Sequence, residues 1–353
     1  MAGPGSVGST DLERRLAELG DLVEQRTRQE LAAAITPPAR RFGALLEYHL
    51  GWRDTQLEPL AVPAPSGKKL RLALVLLVSE AVAGSIEPAR SAAVAVELIH
   101  NFSLVHDDIQ DRSPLRRHRP TLWTLWGMEQ GINAGDALFA LAQLVVLRQP
   151  TALAARLAGE LSRTSLLLAE GQYLDIELQR GAIPPTLEIY EAMIARKTGA
   201  LFECACRLGA IAAGASAAAE AEYAAYGVQL GLAFQEQDDL LGVWGSSAET
   251  GKPEAADVLE RKRGLPAALA LSRPDAPDWL RAAYATDGDG SMPSELVARV
   301  VAHFDRIDIR GEIERRVAQR YRDALGALEA AESREPARSY LMGLGNLLVA
   351  RRT

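Results

Sequence analysis

The sequence predicts an all-α fold, a large helical bundle, on three observations. Alanine, leucine, glutamate and arginine dominate, apolar residues return every three or four positions, and the valine-rich alternation of a strand never persists. Taken in order, "MAGPGSVGST" is small and polar and reads as a disordered tail over residues 1–10. "DLERRLAELGDLVEQRTRQELAAAI" carries a helical apolar stripe, with Ser9 to Asp11 offering a cap. "KKLRLALVLLVSEAVAG" and "SAAVAVELIHNFSLVHDDIQD" are apolar on nearly all sides, as central helices of a bundle are. Breakers fall at Pro63 to Gly67, Gly181 to Thr186, Gly245 to Pro253 and Ser272 to Asp278, none long enough to link domains, so residues 11–353 read as one domain. No repeat of solenoid period occurs, and Tyr284 to Glu295 reads as a mobile surface loop.

The 353 residues, 48% apolar and 24% charged, are enough to bury a substantial core. A net charge of −7 gives no global field for nucleic acid, so any anion must be met by local basic groups. Cys204 and Cys206, two apart on a helix, point away from each other, which excludes a disulfide framework and suits a reducing cytoplasm. The N-terminus has neither the basic start nor the apolar block of a secretory signal. The longest charge-free apolar stretches, Ala137 to Leu147 and Leu208 to Ala219, fall short of the roughly 18 residues of a membrane span. A protein without stable membrane insertion is expected.

The chemistry concentrates in "HNFSLVHDDIQDRSPLRRHRPT", His100 to Thr121. On a helix running to about Asp111, Asp107 and Asp111 share a face and reach the same ions. Such hard oxygen donors suit Mg²⁺, which keeps waters and bridges to phosphate oxygens. The arginines just downstream suit the phosphate itself, since a guanidinium grips two oxygens. A charged helix end would look much the same. A second acidic pair, Asp238 and Asp239 in "GLAFQEQDDLLGVWG", tips the balance, because adjacent aspartates on an apolar helix need cationic compensation.

With these motifs in hand, the sequence resembles the trans-polyprenyl diphosphate synthases over almost its whole length. The resemblance is carried by "GKKLR", "ELIHNFSLVHDDIQD", "RRHRPT", "NAGDAL", "EGQYLD", "KTGALF", "FQEQDD", "TGKP" and "RKRGLP", in family order. It implies an isoprenoid synthase-type helical bundle around a central apolar cavity, Mg²⁺ as cofactor, and condensation of isopentenyl diphosphate with an allylic diphosphate. By the resemblance, Asp107, Asp111 and Asp238 bind Mg²⁺ directly, with Asp108 and Asp239 supporting them. Arg116, Lys197, Lys252 and Lys262 would hold the allylic diphosphate, and Lys68, Arg71, His100 and Arg117 the metal-free diphosphate of the second substrate. Thr198 and Gln235 would turn oxygens toward the developing carbocation. No protein base is implied, since released diphosphate takes the proton.

Five positions depart from the family pattern. Leu72 replaces the proline that often follows Arg71, Gly242 the last aspartate of the second acidic motif, and Glu236 a usually apolar residue with no evident reason. His118 and Arg119 stand in for a glycine-containing version of the basic motif and add charge near the substrate entrance. A terpene cyclase of the same fold would not need Lys68, Arg71 and Arg117, and a noncatalytic regulatory subunit would be expected to lose its acidic ligands. A homodimer is implied. Phe102, five positions before Asp107 and beside the small Ser103, matches the position of a floor that stops chain growth, which points to a short product, geranylgeranyl ahead of farnesyl diphosphate.

Overall fold

The computed structural model describes residues 8–65, 67, 69–247, 253–285 and 291–349. Lys68, Lys252, residues 1–7 of the N-terminal segment and residues 286–290 of the expected loop lie outside them. Apart from one hairpin and an isolated bridge between Arg53 and Pro59, the described residues form no strand. The chain divides into two compact units, each drawn from three stretches: Met1–Ser165, Cys204–Ala224 and Ala330–Leu344 in one, Leu166–Glu203, Ala225–Glu329 and Gly345–Thr353 in the other. Their boundaries fall inside helices, where the sequence has no breaker to mark them.

In the first unit, α1 (Ser9–Ala34) buries Leu12, Leu16, Leu19, Val23 and Leu31, the stripe its spacing dictates. It starts two residues earlier than the sequence suggests. Gly8 holds the cap position and no side chain caps the helix, so Ser9 and Thr10 belong to its first turn. After α2 (Arg40–His49), α3 (Leu70–Ala83) is buried at every position from Leu72 to Ser79 and stops at Gly84, whose left-handed φ of +72° lets its N–H reach Glu80 O at 2.8 Å. It packs against α1 and α4 (Arg90–Gln110). Next come β1 (Leu115–Arg116), β2 (Arg119–Pro120), α5 (Leu122–Trp126) and α6 (Met128–Leu147), which lies along α4. Gly131 and Gly135 make that approach possible, since a Cβ there would stand 2.7 Å from Ile109 and 2.2 Å from His106. By length and composition α6 could also cross a membrane, contrary to the reading of the apolar runs, but it buries eight positions inside this unit. Cys204 and Cys206 are buried thiols with no disulfide.

The long helix α7 (Thr151–Arg180) leads into the second unit, which holds α8 (Leu187–Ile194), a π-helical segment (Ala195–Gly199) and the start of α9 (Ala200–Ala212). Its core gathers Tyr190, Leu232, Leu240, Val258, Leu265, Phe304 and Ile313 from α8, α10 (Ala217–Trp244), α11 (Ala256–Leu259), α12 (Leu265–Leu271), α14 (Ser294–Arg306) and α15 (Ile309–Ala330). The expected surface loop is only partly one. Tyr284 is buried near the end of α13 (Asp278–Ala285), and Met292, 1% exposed, donates its N–H to Leu259 O at 2.7 Å. The last helix is α16 (Ala337–Val349).

Candidate active site

At the end of α4, Asp107 is half-buried, Asp108 buried and Asp111 exposed. Asp111 caps the helix with its N–H on Asp107 O at 2.8 Å, so the two carboxylates stay one turn apart on one face. Asp108 points inward and accepts from Arg116 Nε at 2.8 Å. Burial pushes the Asp108 carboxyl up to about 6, with Arg116 opposing the rise. Among the described residues no three His, Cys, Asp or Glu side chains form a preformed cage. The donor set of Asp107 and Asp111 still fits Mg²⁺, which takes one or two carboxylates and completes its shell with phosphate and water.

The hairpin that presents the arginines turns on two left-handed residues, Arg117 at φ +51° and His118 at φ +63°, the backbone a two-residue primed turn requires. Glycine would adopt these angles at no steric cost. The turn lays the Arg117 guanidinium over Gly67, where a Cβ would stand 2.8 Å from Nη2. Arg119, which the sequence reading places as added charge near the substrate entrance, lines the cleft of this unit and is held there. It stacks on Tyr48 at 4.2 Å and donates to Tyr48 O at 3.0 Å and Arg53 O at 2.5 Å, while Tyr48 Oη donates to Pro120 O at 2.7 Å. The hairpin is thereby pinned to the end of α2.

Between them lies a cleft of about 770 Å³ including its open mouth, lined by Lys69, Glu97, Asn101, Asp108, Arg116 and Arg117 among others. Arg71 and His100 stand 3.5 Å apart beside it. Burial lowers Arg71 to about 10, still charged at neutral pH, and burial followed by Arg71 and Arg117 holds His100 well below its ordinary value, hence neutral. Glu97, raised by burial, is the counter-charge among Arg71, Lys69 and Arg117.

In the second unit, the π-helical segment carries Lys197 and Thr198. Glycines set it in place: a Cβ at Gly171 of α7 would stand 2.3 Å from Lys197 N, and one at Gly231 of α10 would stand 2.9 Å from Gly199 Cα. Lys197 consequently pairs with Asp175 of α7, and Thr198 Oγ1 donates to Gln235 Oε1 at 2.9 Å. Gln235 in turn donates to Asp239 Oδ1 at 2.9 Å, and Asp239 Oδ2 accepts Leu265 N–H at 2.7 Å. Asp238 is exposed. The buried Asp239 is raised by burial, against Lys262. Burial alone would raise Asp175; the Lys197 ammonium outweighs that penalty and holds Asp175 below the usual range. Gly171→Ala is therefore expected to cost about 1 to 3 kcal/mol of stability. Turnover should fall by at least about tenfold, because displacing a reacting group by about 1 Å is enough. Gly159→Ala on the same helix, with nothing within 4 Å, should do neither, as melting curves and steady-state rates of the two variants would show.

Lys262, the least distinctive of the basic residues, sits 3.1 Å from Asp257 and 3.9 Å from Asp239. Burial alone would lower its ammonium; Asp239, Asp257 and Asp238 outweigh it and hold it raised. Asp257 also explains Gly242: a Cβ there would stand 2.2 Å from the Asp257 carboxylate. Its neighbour Arg263 is structural, donating to the carbonyls of Leu178, Gln179 and Tyr284. Glu236 finds its reason as well. It is 0% exposed and meets Arg316 at 3.5 Å and Arg320 at 3.4 Å, and Arg316 also pairs with Glu191 of α8. Sequence reasoning missed Glu97, Asp175 and Asp257 as partners, although the first two lie inside motifs it had singled out.

A family-wide sequence profile, Polyprenyl synthetase, matches residues 57–299. The chain belongs to the polyprenyl synthetase family. It is accordingly a prenyltransferase, with the all-α isoprenoid synthase fold. It is 37% identical over 331 residues to the geranylgeranyl diphosphate synthase of Mycobacterium tuberculosis H37Rv, covering 93% of this chain and 91% of that one. The crystal structure of a polyprenyl synthetase from Streptomyces coelicolor A3(2) matches with a TM-score of 0.87 at 34% identity, over 96% of this chain and 100% of that one. Geranylgeranyl pyrophosphate synthase from Corynebacterium glutamicum, complexed with isoprenyl diphosphate and magnesium, matches with a TM-score of 0.79 at 28% identity, over 97% and 100%.

Proposed function

We propose that this synthase condenses isopentenyl diphosphate with an allylic diphosphate, head to tail, to a short-chain product, geranylgeranyl ahead of farnesyl diphosphate. The family match carries the reading, and the Mycobacterium and Corynebacterium relatives support the chain length. Asp107, Asp111 and Asp238 hold Mg²⁺, which when bound neutralises charge on the departing diphosphate. Asp108 and Asp239 keep their hydrogen-bonded positions behind them, a role their burial supports. Arg116, Lys197, Lys252 and Lys262 pair with the allylic diphosphate. Lys68, Arg71, His100 and Arg117 take isopentenyl diphosphate without metal. Thr198 and Gln235 line the path of the carbocation with oxygens that stabilise it without capturing it. The chain acts as a homodimer, which the exposed Ile132, Leu144 and Leu147 on α6 support.

Incubating purified protein with Mg²⁺, isopentenyl diphosphate and dimethylallyl, geranyl or farnesyl diphosphate tests the reading by product analysis. Linear C15 to C20 diphosphates are expected, and a cyclised hydrocarbon or no condensation overturns it. Phe102 supports the length assignment. Its ring stands 5.2 Å from His106, edge-on, and 5.5 Å from Phe139 of α6, so the proposed floor is an aromatic cluster and not one side chain. Phe102→Ala is expected to move the product distribution to longer chains, and an active variant with unchanged products would remove Phe102 from this role.

A further inference from the structure

The cleft of the first unit holds one side chain that the reaction scheme leaves unused. His49, the last residue of α2, lines it together with Arg116, Arg117 and Arg119. Its Nε2 is buried and has no hydrogen-bond partner. Asn101 lies near enough to the ring to favour its charged form, against the burial. Asn101 Nδ2 is committed to Glu97, donating to its backbone O at 2.8 Å and its Oε1 at 3.0 Å, which leaves its amide oxygen as the atom that could face a donor. A neutral imidazole with its proton on Nδ1 offers Nε2 as a hydrogen-bond acceptor. Burial, then Arg116 and Arg117, lower the imidazole to about 3, so it is neutral in the free protein.

A buried polar atom without a partner is unfavourable in a folded chain and calls for an explanation. The backbone on either side is fixed, not adaptable. Arg119 grips Tyr48 O, the Tyr48 ring packs edge-on against Trp126 at 4.9 Å, and Trp52 N–H donates to Glu47 O at 2.8 Å. The charges around the ring are unevenly satisfied. Lys69 pairs with Glu24 and Arg116 with Asp108, whereas Arg119 is spent on carbonyls and Arg117 forms no ion pair among the described residues. An anion entering beside Arg117 would meet His49 Nε2 in the same cleft.

We infer that His49 is a further ligand of the metal-free diphosphate subsite, sharing one proton between Nε2 and a terminal phosphate oxygen of isopentenyl diphosphate. The proton arrives on the terminal phosphate, whose last ionisation, like that of a phosphate monoester, lies near pH 6. No bond other than this hydrogen bond forms. Beyond the arginines, which supply charge, this contact reads the protonated face of the terminal phosphate and helps fix its orientation. The inference rests on the reading of the cleft as the isopentenyl diphosphate subsite.

Titration calorimetry with isopentenyl diphosphate in excess EDTA, with no allylic substrate, isolates the subsite from metal and turnover. Wild type should bind, and Arg117→Met should lose about tenfold or more in affinity. His49→Phe should weaken binding by about 10- to 100-fold, as expected for a lost hydrogen bond to a charged group. His49→Gln, whose amide oxygen can accept the phosphate proton as Nε2 does, should stay within about threefold of wild type. In steady state His49→Phe should raise KM for isopentenyl diphosphate and leave KM for the allylic substrate unchanged, a split that loosened packing would not produce. If His49→Phe does not fold, His49→Asn, too short to reach the phosphate, takes its place. Wild-type affinity in the folded Phe or Asn variant, with Arg117→Met weakened, overturns the role of His49 alone. No binding by the wild type overturns the subsite reading and this inference with it.

Discussion

Asp107→Ala is expected to lower kcat by about three powers of ten, the scale on which losing a main stabiliser of developing charge acts. The carboxylate is half-buried at the end of α4, one turn from Asp111, and the chemistry assigned to it is electrostatic. Asp108 is turned inward and already engaged by Arg116. Because Asp107 contributes little to the core, the variant should keep the wild-type melting temperature and helical circular dichroism. Excess chelator should abolish wild-type turnover and be reversed by added Mg²⁺. A variant or a chelated enzyme that retains a tenth of the rate would end the metal-assisted reading.

Glu236→Ile is expected to destabilise the protein by about 3 kcal/mol, although it restores the apolar character that the family pattern favours at this position. The reason lies in what it leaves behind. Arg316 and Arg320 face a side chain that is 0% exposed, and removing the carboxylate strands two guanidinium groups whose desolvation is no longer offset. Replacing all three as Glu236→Ile, Arg316→Met and Arg320→Leu should recover most of the loss, since an ion cluster exchanged whole for apolar side chains is often neutral or better. Chemical denaturation of the single and triple variants measures both. A single variant as stable as wild type would show that the cluster contributes nothing net.

These residues also mark how far the sequence could be read. Helix existence was legible wherever one face or all faces were apolar, as in α3, whose uninterrupted run from Leu72 to Val78 has no place except a core. The acidic and basic motifs were legible because their spacing places like chemistry on one helical face; that Asp108 and Asp239 are buried while Asp111 and Asp238 are exposed could not be read from it. What stayed hidden depends on partners distant in sequence. Glu236 looked anomalous because its counter-ions come from α15, and Gly242 looked like a loss because Asp257, which fills the space, belongs to another helix. Arg119 resembled a surface charge because nothing local announces that Tyr48 will lie beneath it. The division into two units was invisible for a related reason, since its boundaries fall within continuous helices.

The π-helical segment Ala195–Gly199 has a consequence for comparing this chain with others. A π-turn amounts to one extra residue accommodated without breaking the helix, so it is a site where an insertion has been absorbed. Five π-helical residues sweep about the same angle as four α-helical ones, so removing one residue there would let α8 run straight into α9 with ordinary α-helical hydrogen bonds and leave every later side chain on its present face. A residue removed outside that turn would instead slip the faces by about 100°, carrying the side chains beyond it out of register with the residues they pack against. An alignment to an uninterrupted helix must therefore open its gap inside "ARKTG", even where a gap a few residues away scores as well.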